Sequence, residues 1–291
     1  MLYDLSLHMG YAYDTPATGA RHMIRVMPMT LPGRQRLVAG SLQVSPAPDE
    51  QTTFMDFFNH AVASVFLRAP HETLDIRMQA RVQVEGQSMT ADFSPLLKSL
   101  PVEINNYWSL EANSPHHFLG ASPRIPEDAA IAAYASEVAA PRMTILQIAT
   151  ALCKRIHDDF VYDGEATEVD TTPQQAFELR RGVCQDFTHI MISGLRSLGV
   201  PAGYVSGFLR TIPPPGKERL GGADAMHAWV RVWCGDVTGW IELDPTNDMP
   251  AGVDHIVVAH GRDYSDVAPV IGVVKSYGSQ ALEQAVDVIP V

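Results

Sequence analysis

Residues 180–189 place a single cysteine between a glycine and a long apolar run. Cys184 comes shortly after Gly182, and the apolar run ends at Leu198-Gly199-Val200-Pro201, a combination typical of a helix end. The pattern predicts a buried helix with Cys184 in its first turn. Free backbone N–H groups and the helix dipole favour an anion at that end, and they therefore favour a thiolate. Cys184 is thus a candidate nucleophile, although a cysteine at a helix start is by itself more often structural.

The charge balance and the cysteine count limit the class of protein. The 291 residues carry a formal net charge of −12 and the pI is about 5.3, so we expect neither a nucleic-acid partner nor an acidic membrane surface. The three cysteines form no C-x-x-C pair, which argues against a disulfide scaffold and a cysteine-rich zinc site. No leader pattern and no membrane-length apolar run is present. We therefore expect a cytoplasmic protein that does not span a membrane.

The first part of the chain shows the two-residue alternation of β-strands. The alternation is clearest over residues 73–84, and proline and glycine clusters separate successive apolar runs. This spacing is typical of an antiparallel sandwich. An irregular stretch over residues 111–126 then predicts a boundary, with an N-terminal β-sandwich domain at 1–115 and a core at 116–291. His116-His117 lies in that stretch without a third ligand at useful spacing, so we expect no metal.

Helical and strand patterns both follow the boundary, which predicts the fold class α+β. Apolar residues recur at helical spacing over residues 144–159, and Thr172-Pro173 is typical of a helix start. Residues 202–209 have the composition of a strand. The polar loop after this strand contains Pro213-Pro214-Pro215, and its length suggests the rim of a cleft.

A base and an acid come from a predicted hairpin. Two strands, residues 225–233 and 239–244, flank Gly235-Asp236. If these two residues form the whole loop, His227 and Asp244 lie directly opposite each other, with Cβ atoms about 4.5–5.5 Å apart. A longer loop through Thr238 would shift this register. A carboxylate so placed can orient an imidazole, and the imidazole can take the proton of a thiol.

Each of these residues also has a structural interpretation. A histidine on a strand among tryptophans is more often a core residue, and Asp244 could serve only an Asx turn. Asp186 suits the first turn of the cysteine helix as a cap, and His189 lies about 140° around that helix from Cys184. The joint placement of cysteine, histidine and aspartate nevertheless favours a catalytic site.

The motifs together resemble those of bacterial transglutaminase-like cysteine proteins. The resemblance rests on Gly182-Val183-Cys184-Gln185-Asp186-Phe187, Leu198-Gly199-Val200-Pro201-Ala202, Tyr204-Val205-Ser206-Gly207, His227-Ala228-Trp229-Val230, Gly239-Trp240, Asp244-Pro245-Thr246-Asn247 and the segment over residues 261–269. The N-terminal half resembles the sandwich domain that precedes this core in the bacterial subgroup. The resemblance implies a papain-like α+β core, with a cysteine-bearing helix on an antiparallel sheet. It also implies Cys184 as nucleophile, His227 as general base and Asp244 as orienting acid.

The expected chemistry is acyl transfer from a peptide or glutamine-type amide through a thioester. The backbone N–H of Cys184 should stabilise the oxyanion, and we expect a second donor from Tyr162 or a nearby glutamine. We expect hydrolysis rather than transfer, with a peptide or protein substrate and no cofactor. The alternatives are a protein-glutamine gamma-glutamyltransferase, a small-acyl N-acyltransferase and a binding module without catalysis. The sequence carries no signal for the oligomeric state.

Overall fold

Strands dominate the first 85 residues. The structure is a computed structural model that describes residues 1–86, 91–211, 221–222 and 224–291. Its first strands are β1 (Leu2–Ile24), β2 (Gln35–Ser45), β3 (Glu50–Met55), β4 (Ala61–Leu67) and β5 (His71–Val84). β1 pairs with β5 along its first half and with β4 at its end, while β2 pairs with β5 and β3 with β4. All these pairings are antiparallel, as the sequence predicts.

The two-residue period of β1 explains how this sheet is anchored. Tyr3, Leu5, Leu7 and Met9 are buried, whereas the residues between them are only partly buried. Successive side chains of a strand point to opposite faces, so one face of β1 packs into the core and the other stays closer to solvent.

The second part of the chain alternates helices with short strands. In chain order these are α1 (Leu100–Asn106), α2 (Ala129–Ser136), α3 (Ile145–Asp159), β6 (Val161–Tyr162), α4 (Pro173–Leu179), β7 (Arg181–Gly182), α5 (Cys184–Ser197), β8 (Ala202–Leu209), β9 (Ala225–Trp233), α6 (Gly235–Thr238), β10 (Trp240–Asp244), β11 (Met249–Pro250), β12 (His255–Gly261), α7 (Tyr264–Val267), β13 (Val270–Lys275) and β14 (Gln280–Pro290). The expected α+β class is confirmed.

The last two strands return to the first one. β13 and β14 both pair antiparallel with β1, and β14 does so over the length from Tyr3 to Tyr13. The N-terminal sheet therefore contains both ends of the chain. The predicted core at 116–291 includes these strands by their position in the sequence, but their hydrogen-bonded partner is β1.

A five-stranded antiparallel sheet, in the order β11-β10-β9-β8-β12, carries the second half. Helix α5 packs on β8 and β9. Phe208 and Val230 of these strands belong to the same buried cluster as Ile190 and Met191 of the helix. This arrangement fixes the start of α5 relative to β9, and it agrees with the expected cysteine-bearing helix on an antiparallel sheet.

The alternate side chains of the same sheet face a different element. Val205, Trp229 and Val257 form a separate buried cluster with Met29, which lies between β1 and β2. Gln35 joins this contact: its amide donates to the carbonyl of Val257 and accepts from the N–H of Val257. The segment between β1 and β2 therefore covers the sheet on the face that α5 leaves open.

Local sequence signals explain where the helices begin. Thr144 and Thr172 cap α3 and α4, and each forms a reciprocal capping box with a glutamine three residues later. Pro213-Pro214-Pro215 lies outside the described residues. Within the part of the chain that the structure describes, no helix has the length and apolar character needed to cross a membrane.

Candidate active site

Cys184 is the first residue of α5, as the sequence predicts. Asp186, 1% exposed, folds back over the start of the helix and accepts hydrogen bonds from the N–H of Val183 at 2.8 Å and the hydroxyl of Thr167 at 2.6 Å. A Cβ at Gly182 would collide with the Asp186 carboxylate. The glycine before the cysteine is therefore required by the cap, which determines how the chain enters the helix.

The start of α5 offers backbone donors next to the thiol. Asp186 takes the N–H of Val183, but among the described residues the N–H groups of Cys184 and Gln185 have no hydrogen-bond partner. The first-turn N–H groups of a helix lack intrahelical acceptors. An oxyanion beside Cys184 could therefore accept from them.

The three cysteines differ in access. Cys184 is partly exposed, whereas Cys153 and Cys234 are buried. Burial raises the pKa of both buried thiols to about 12. Cys184 alone combines solvent access with a helix start, which is the environment of a reactive thiol.

The structure brings His227 and Asp244 together, but not by the predicted register. β9 and β10 pair Trp233 with Trp240, two residues away from the pairing that a two-residue loop would give. The two-residue loop Gly235-Asp236, on which direct opposition depends, does not form, because the short helix α6 makes the longer connection through Thr238. A shift by two keeps every side chain on its face of the sheet. His227 and Asp244 thus meet diagonally, with Nε2 2.7 Å from Oδ2.

The carboxylate of Asp244 is fully buried and saturated with donors. Oδ2 accepts from Nε2 of His227, from Nε2 of His255 at 3.2 Å and from the side-chain amide of Asn247 at 2.6 Å. Oδ1 accepts from the backbone N–H of Thr246 at 2.9 Å and of Asn247 at 3.2 Å. The predicted Asx turn therefore forms, and it serves to orient the acid.

These contacts set the protonation states. Burial would lower the pKa of His227, but the hydrogen bond to Asp244 and the influence of Cys184 outweigh it and raise the pKa to about 10. Burial would raise the pKa of Asp244, but the hydrogen bonds from His227 and His255 hold it well below its usual range. At neutral pH the arrangement is an imidazolium beside a carboxylate. Because Nε2 faces Asp244, Nδ1 is the ring nitrogen left for the thiol.

The group His227, Asp244 and His255 also has the composition of a metal site, since one ligand atom of each lies within 4.8 Å of the others. The hydrogen bonds do not fit that use. Nδ1 of His255 accepts the backbone N–H of Gly252, so the proton of this ring is on Nε2, which points at Asp244. A protonated nitrogen cannot ligate a metal.

Cys184 influences the pKa of two tyrosines. Tyr162, the predicted oxyanion donor, is in β6 opposite Gly182 and is 61% exposed. Tyr204 of β8 is buried and packs against His189 and Tyr264. Burial, followed by the Cys184 thiol, raises the pKa of both phenols, so both keep the proton that an oxyanion donor needs.

The other histidines singled out in the sequence lie elsewhere. His189 is buried, its Nε2 accepts the N–H of Tyr264 at 3.3 Å, and burial lowers its pKa to about 3. His116 and His117 bond to the backbone carbonyls of Tyr107 and Leu110. None of these three rings contacts Asp244.

Sequence reasoning missed the two side chains that support Asp244. Asn247 was recognised only as part of a motif, although its position three residues after the aspartate is a turn signal. His255 lies on β12, and β12 reaches the site only through its pairing with β8. No local sequence pattern around residue 255 predicts the contact between His255 and Asp244.

Comparison with known proteins agrees with this architecture. The family model for the transglutaminase-like superfamily matches residues 132–245, and the model for the bacterial transglutaminase-like N-terminal region matches residues 3–83. An uncharacterized protein of Mycobacterium tuberculosis is 34% identical over 270 residues, which cover 88% of this chain and 83% of the relative. An uncharacterized protein of Mycobacterium leprae is 30% identical over 287 residues, covering 96% and 95%.

A solved structure shares the fold over almost the whole chain. It is the crystal structure of a proposed cysteine protease from Cytophaga hutchinsonii, which superposes with a TM-score of 0.75 at 19% identity and covers 99% of this chain and 90% of that one. The chain belongs to the transglutaminase-like superfamily, with a bacterial transglutaminase-like N-terminal region before its core.

Proposed function

We propose that this protein is a cysteine hydrolase that cleaves peptide or glutamine-type amides, with Cys184 as nucleophile, His227 as base and Asp244 as orienting acid. The observation that carries the proposal is the 2.7 Å hydrogen bond between Nε2 of His227 and the buried Asp244, together with a partly exposed Cys184 at a helix start. The influence of Cys184 on the pKa of His227 supports a thiol near the other side of the ring. This is the geometry that nucleophilic catalysis by cysteine requires.

The reaction has two halves. The Cys184 thiolate attacks the amide carbonyl carbon, and the C–N bond breaks as the His227 imidazolium gives its proton to the leaving amine. The product of this half is a thioester on Cys184. Water then attacks the thioester carbon while His227 accepts its proton, and the C–S bond breaks to release the carboxylic acid and regenerate the imidazolium and thiolate.

The tetrahedral intermediates need donors for their oxyanion. The N–H of Cys184, which has no partner within the described part of the chain, supports the first donor. The Tyr162 hydroxyl, on the strand opposite Gly182 and protonated at neutral pH, is proposed as the second. Tyr162 is exposed enough to turn towards a bound substrate.

Hydrolysis is favoured over transfer because water is the most concentrated acceptor at any open site. Transfer to an amine needs a pocket that binds the amine and excludes water. Cys184 is itself partly exposed, which supports access by water.

We further propose a cytoplasmic location and a peptide or protein substrate, without nucleic acid or membrane partners. The net charge of −12 and three unpaired cysteines support this setting.

Libraries of peptides and glutamine amides, incubated with and without a primary amine, test the proposal. Release of acid or ammonia, unchanged by the amine and absent in Cys184→Ala, is the expected result. Incorporation of the amine in place of acid release would instead establish a transglutaminase. Turnover that survives in Cys184→Ala would refute the nucleophile.

A further inference from the structure

A buried ion pair joins the segment between β1 and β2 to the strand that carries Asp244. Arg34 bonds both carboxylate oxygens of Glu242 on β10, with Nη2 2.5 Å from Oε2. The side chains are only 15% and 5% exposed. Burial would raise the pKa of Glu242, but the charge of Arg34 holds it well below its usual range. A bidentate pair of this kind restricts the plane of the carboxylate as well as its position.

The same carboxylate holds a tryptophan beside the candidate base. The indole N–H of Trp229 donates to Oε2 of Glu242 at 2.5 Å, and the ring is fully buried. Trp229 follows His227 by two residues on β9, so both side chains lie on one face of the sheet. The ring centroids are 6.0 Å apart at 30°, and the indole also meets His255 edge-on at 5.2 Å. The indole therefore packs against both histidines that bond Asp244, His227 and His255.

We propose that Arg34 and Glu242 are positioning residues that hold, through Trp229, the candidate base in the orientation that reaches both acid and thiol. The inference rests on the proposed function. A fixed carboxylate fixes the indole plane, and the plane limits rotation of the imidazole. Small displacements of a catalytic group reduce rates steeply, so a contact far from the reacting atoms can control them.

The burial of Glu242 determines what happens when Arg34 is removed. Without Arg34, Glu242 would keep the charge of Arg231, its cross-strand partner. It would also keep the contact with the His260 ring, whose Nε2 lies 3.4 Å from Oε1. A buried carboxylate that loses its bidentate cation protonates or rotates. Either change alters the acceptor of the indole N–H. The imidazole of His227 then loses a fixed neighbour, and fewer molecules hold it in the orientation that serves both acid and thiol.

The rate of Cys184 alkylation by iodoacetamide between pH 5 and 10, followed by peptide mass spectrometry, measures that population without a substrate. Relative to the wild type, we expect Arg34→Met to slow alkylation at pH 6 about 10-fold and to leave the rate at pH 10 nearly unchanged, so that the midpoint of the alkylation profile moves to higher pH. Arg34→Lys should recover part of the rate, because it restores the cation but not the bidentate geometry. A purely structural role would lower the melting temperature and leave the midpoint of the folded protein unchanged.

Arg81→Met is the matched control, since Arg81 makes a bidentate pair with Asp4 on the N-terminal sheet, where both side chains are exposed. It should keep the wild-type profile. If Arg34→Met does not fold, Glu242→Gln decides, because it preserves the size of the side chain but removes the charge by which Arg34 fixes its plane. If folded Arg34→Met alkylates Cys184 with the wild-type pH midpoint, the inference is overturned. If Arg34→Met does not fold, a wild-type midpoint in Glu242→Gln overturns it. A wild type whose three cysteines all react equally slowly would overturn the proposed function instead.

Discussion

His227 and Asp244 are joined by a 2.7 Å hydrogen bond although they are not opposite each other in their hairpin. The helix α6 lengthens the loop and moves the register by two residues. An even shift preserves the face on which each side chain lies, and diagonal neighbours remain within reach of long side chains. The contact therefore depends on the parity of the register and on the imidazole's length, rather than on direct opposition.

Removing the acid should cost less than removing the base. For turnover of any substrate found in the amide libraries, we expect His227→Ala to lower kcat at least about 100-fold. Asp244→Ala should lower it less, because the imidazole remains beside the thiol and loses only its orientation and the charge that stabilises it. Steady-state kinetics at pH 7 measures both values. Full activity in His227→Ala would refute the assignment of the base.

The accessible cysteine should be modified first. At pH 7 we expect iodoacetamide to label Cys184 at least about 10-fold faster than Cys153 or Cys234, because burial raises the pKa of those two thiols to about 12 and shields them. Peptide mass spectrometry after short exposures gives the three rates. Denatured protein is the control, since all three thiols should then react alike.

Stability should depend on pH through His227. Its pKa is raised to about 10 in the folded state, above the ordinary value of about 6.5. The stabilisation is therefore complete below about pH 6.5 and is lost as the pH rises towards 10. We expect the free energy of unfolding to fall by more than about 1 kcal/mol across this window, measured by urea denaturation. In His227→Gln the fall should shrink, and an equal fall in both proteins would contradict the linkage.

How far the sequence predicts the site can be judged from Cys184 and His255. The helix start at Cys184 is encoded locally by a glycine, a cap and a helix stop, so it follows from the sequence alone. The contact of His255 with Asp244 depends on β12 pairing with β8, a non-local event. Local sequence patterns predict which segments form helices and strands, but not which strands pair with each other.

The same distinction applies to the fold. The alternation in β1 predicts a strand, and burial of Leu5 and Leu7 follows from it. The pairing of β1 with β14 joins residues at opposite ends of the chain, and nothing near Tyr3 indicates it. The sequence leaves open whether a two-residue loop or a longer one through Thr238 joins β9 and β10, because the four-residue helix at Gly235 is too short to leave a periodic signal.

The cap at the start of α5 should make Gly182 intolerant of a methyl group. Gly182→Ala places a Cβ against the Asp186 carboxylate, which must move and release the N–H of Val183. We expect a loss of about 1–3 kcal/mol in the free energy of unfolding, together with slower alkylation of Cys184. Gly164→Ala is the control, because a Cβ there meets open space. Equal effects of the two substitutions would argue against the cap.

The choice between two tyrosines tests the proposed oxyanion site. If the Tyr162 hydroxyl is the second donor, Tyr162→Phe should lower kcat about 100-fold and leave KM nearly unchanged, because the bond forms only when charge develops on the substrate oxygen. Tyr204→Phe should change kcat by less than about 3-fold, since its buried ring packs against His189 and its hydroxyl has no assigned role. Both variants keep the aromatic ring, so melting temperatures close to that of the wild type verify that only the hydroxyl is tested. The reverse order of effects would move the donor from β6 to β8 and place the oxyanion on the side of the thiol that faces Tyr204.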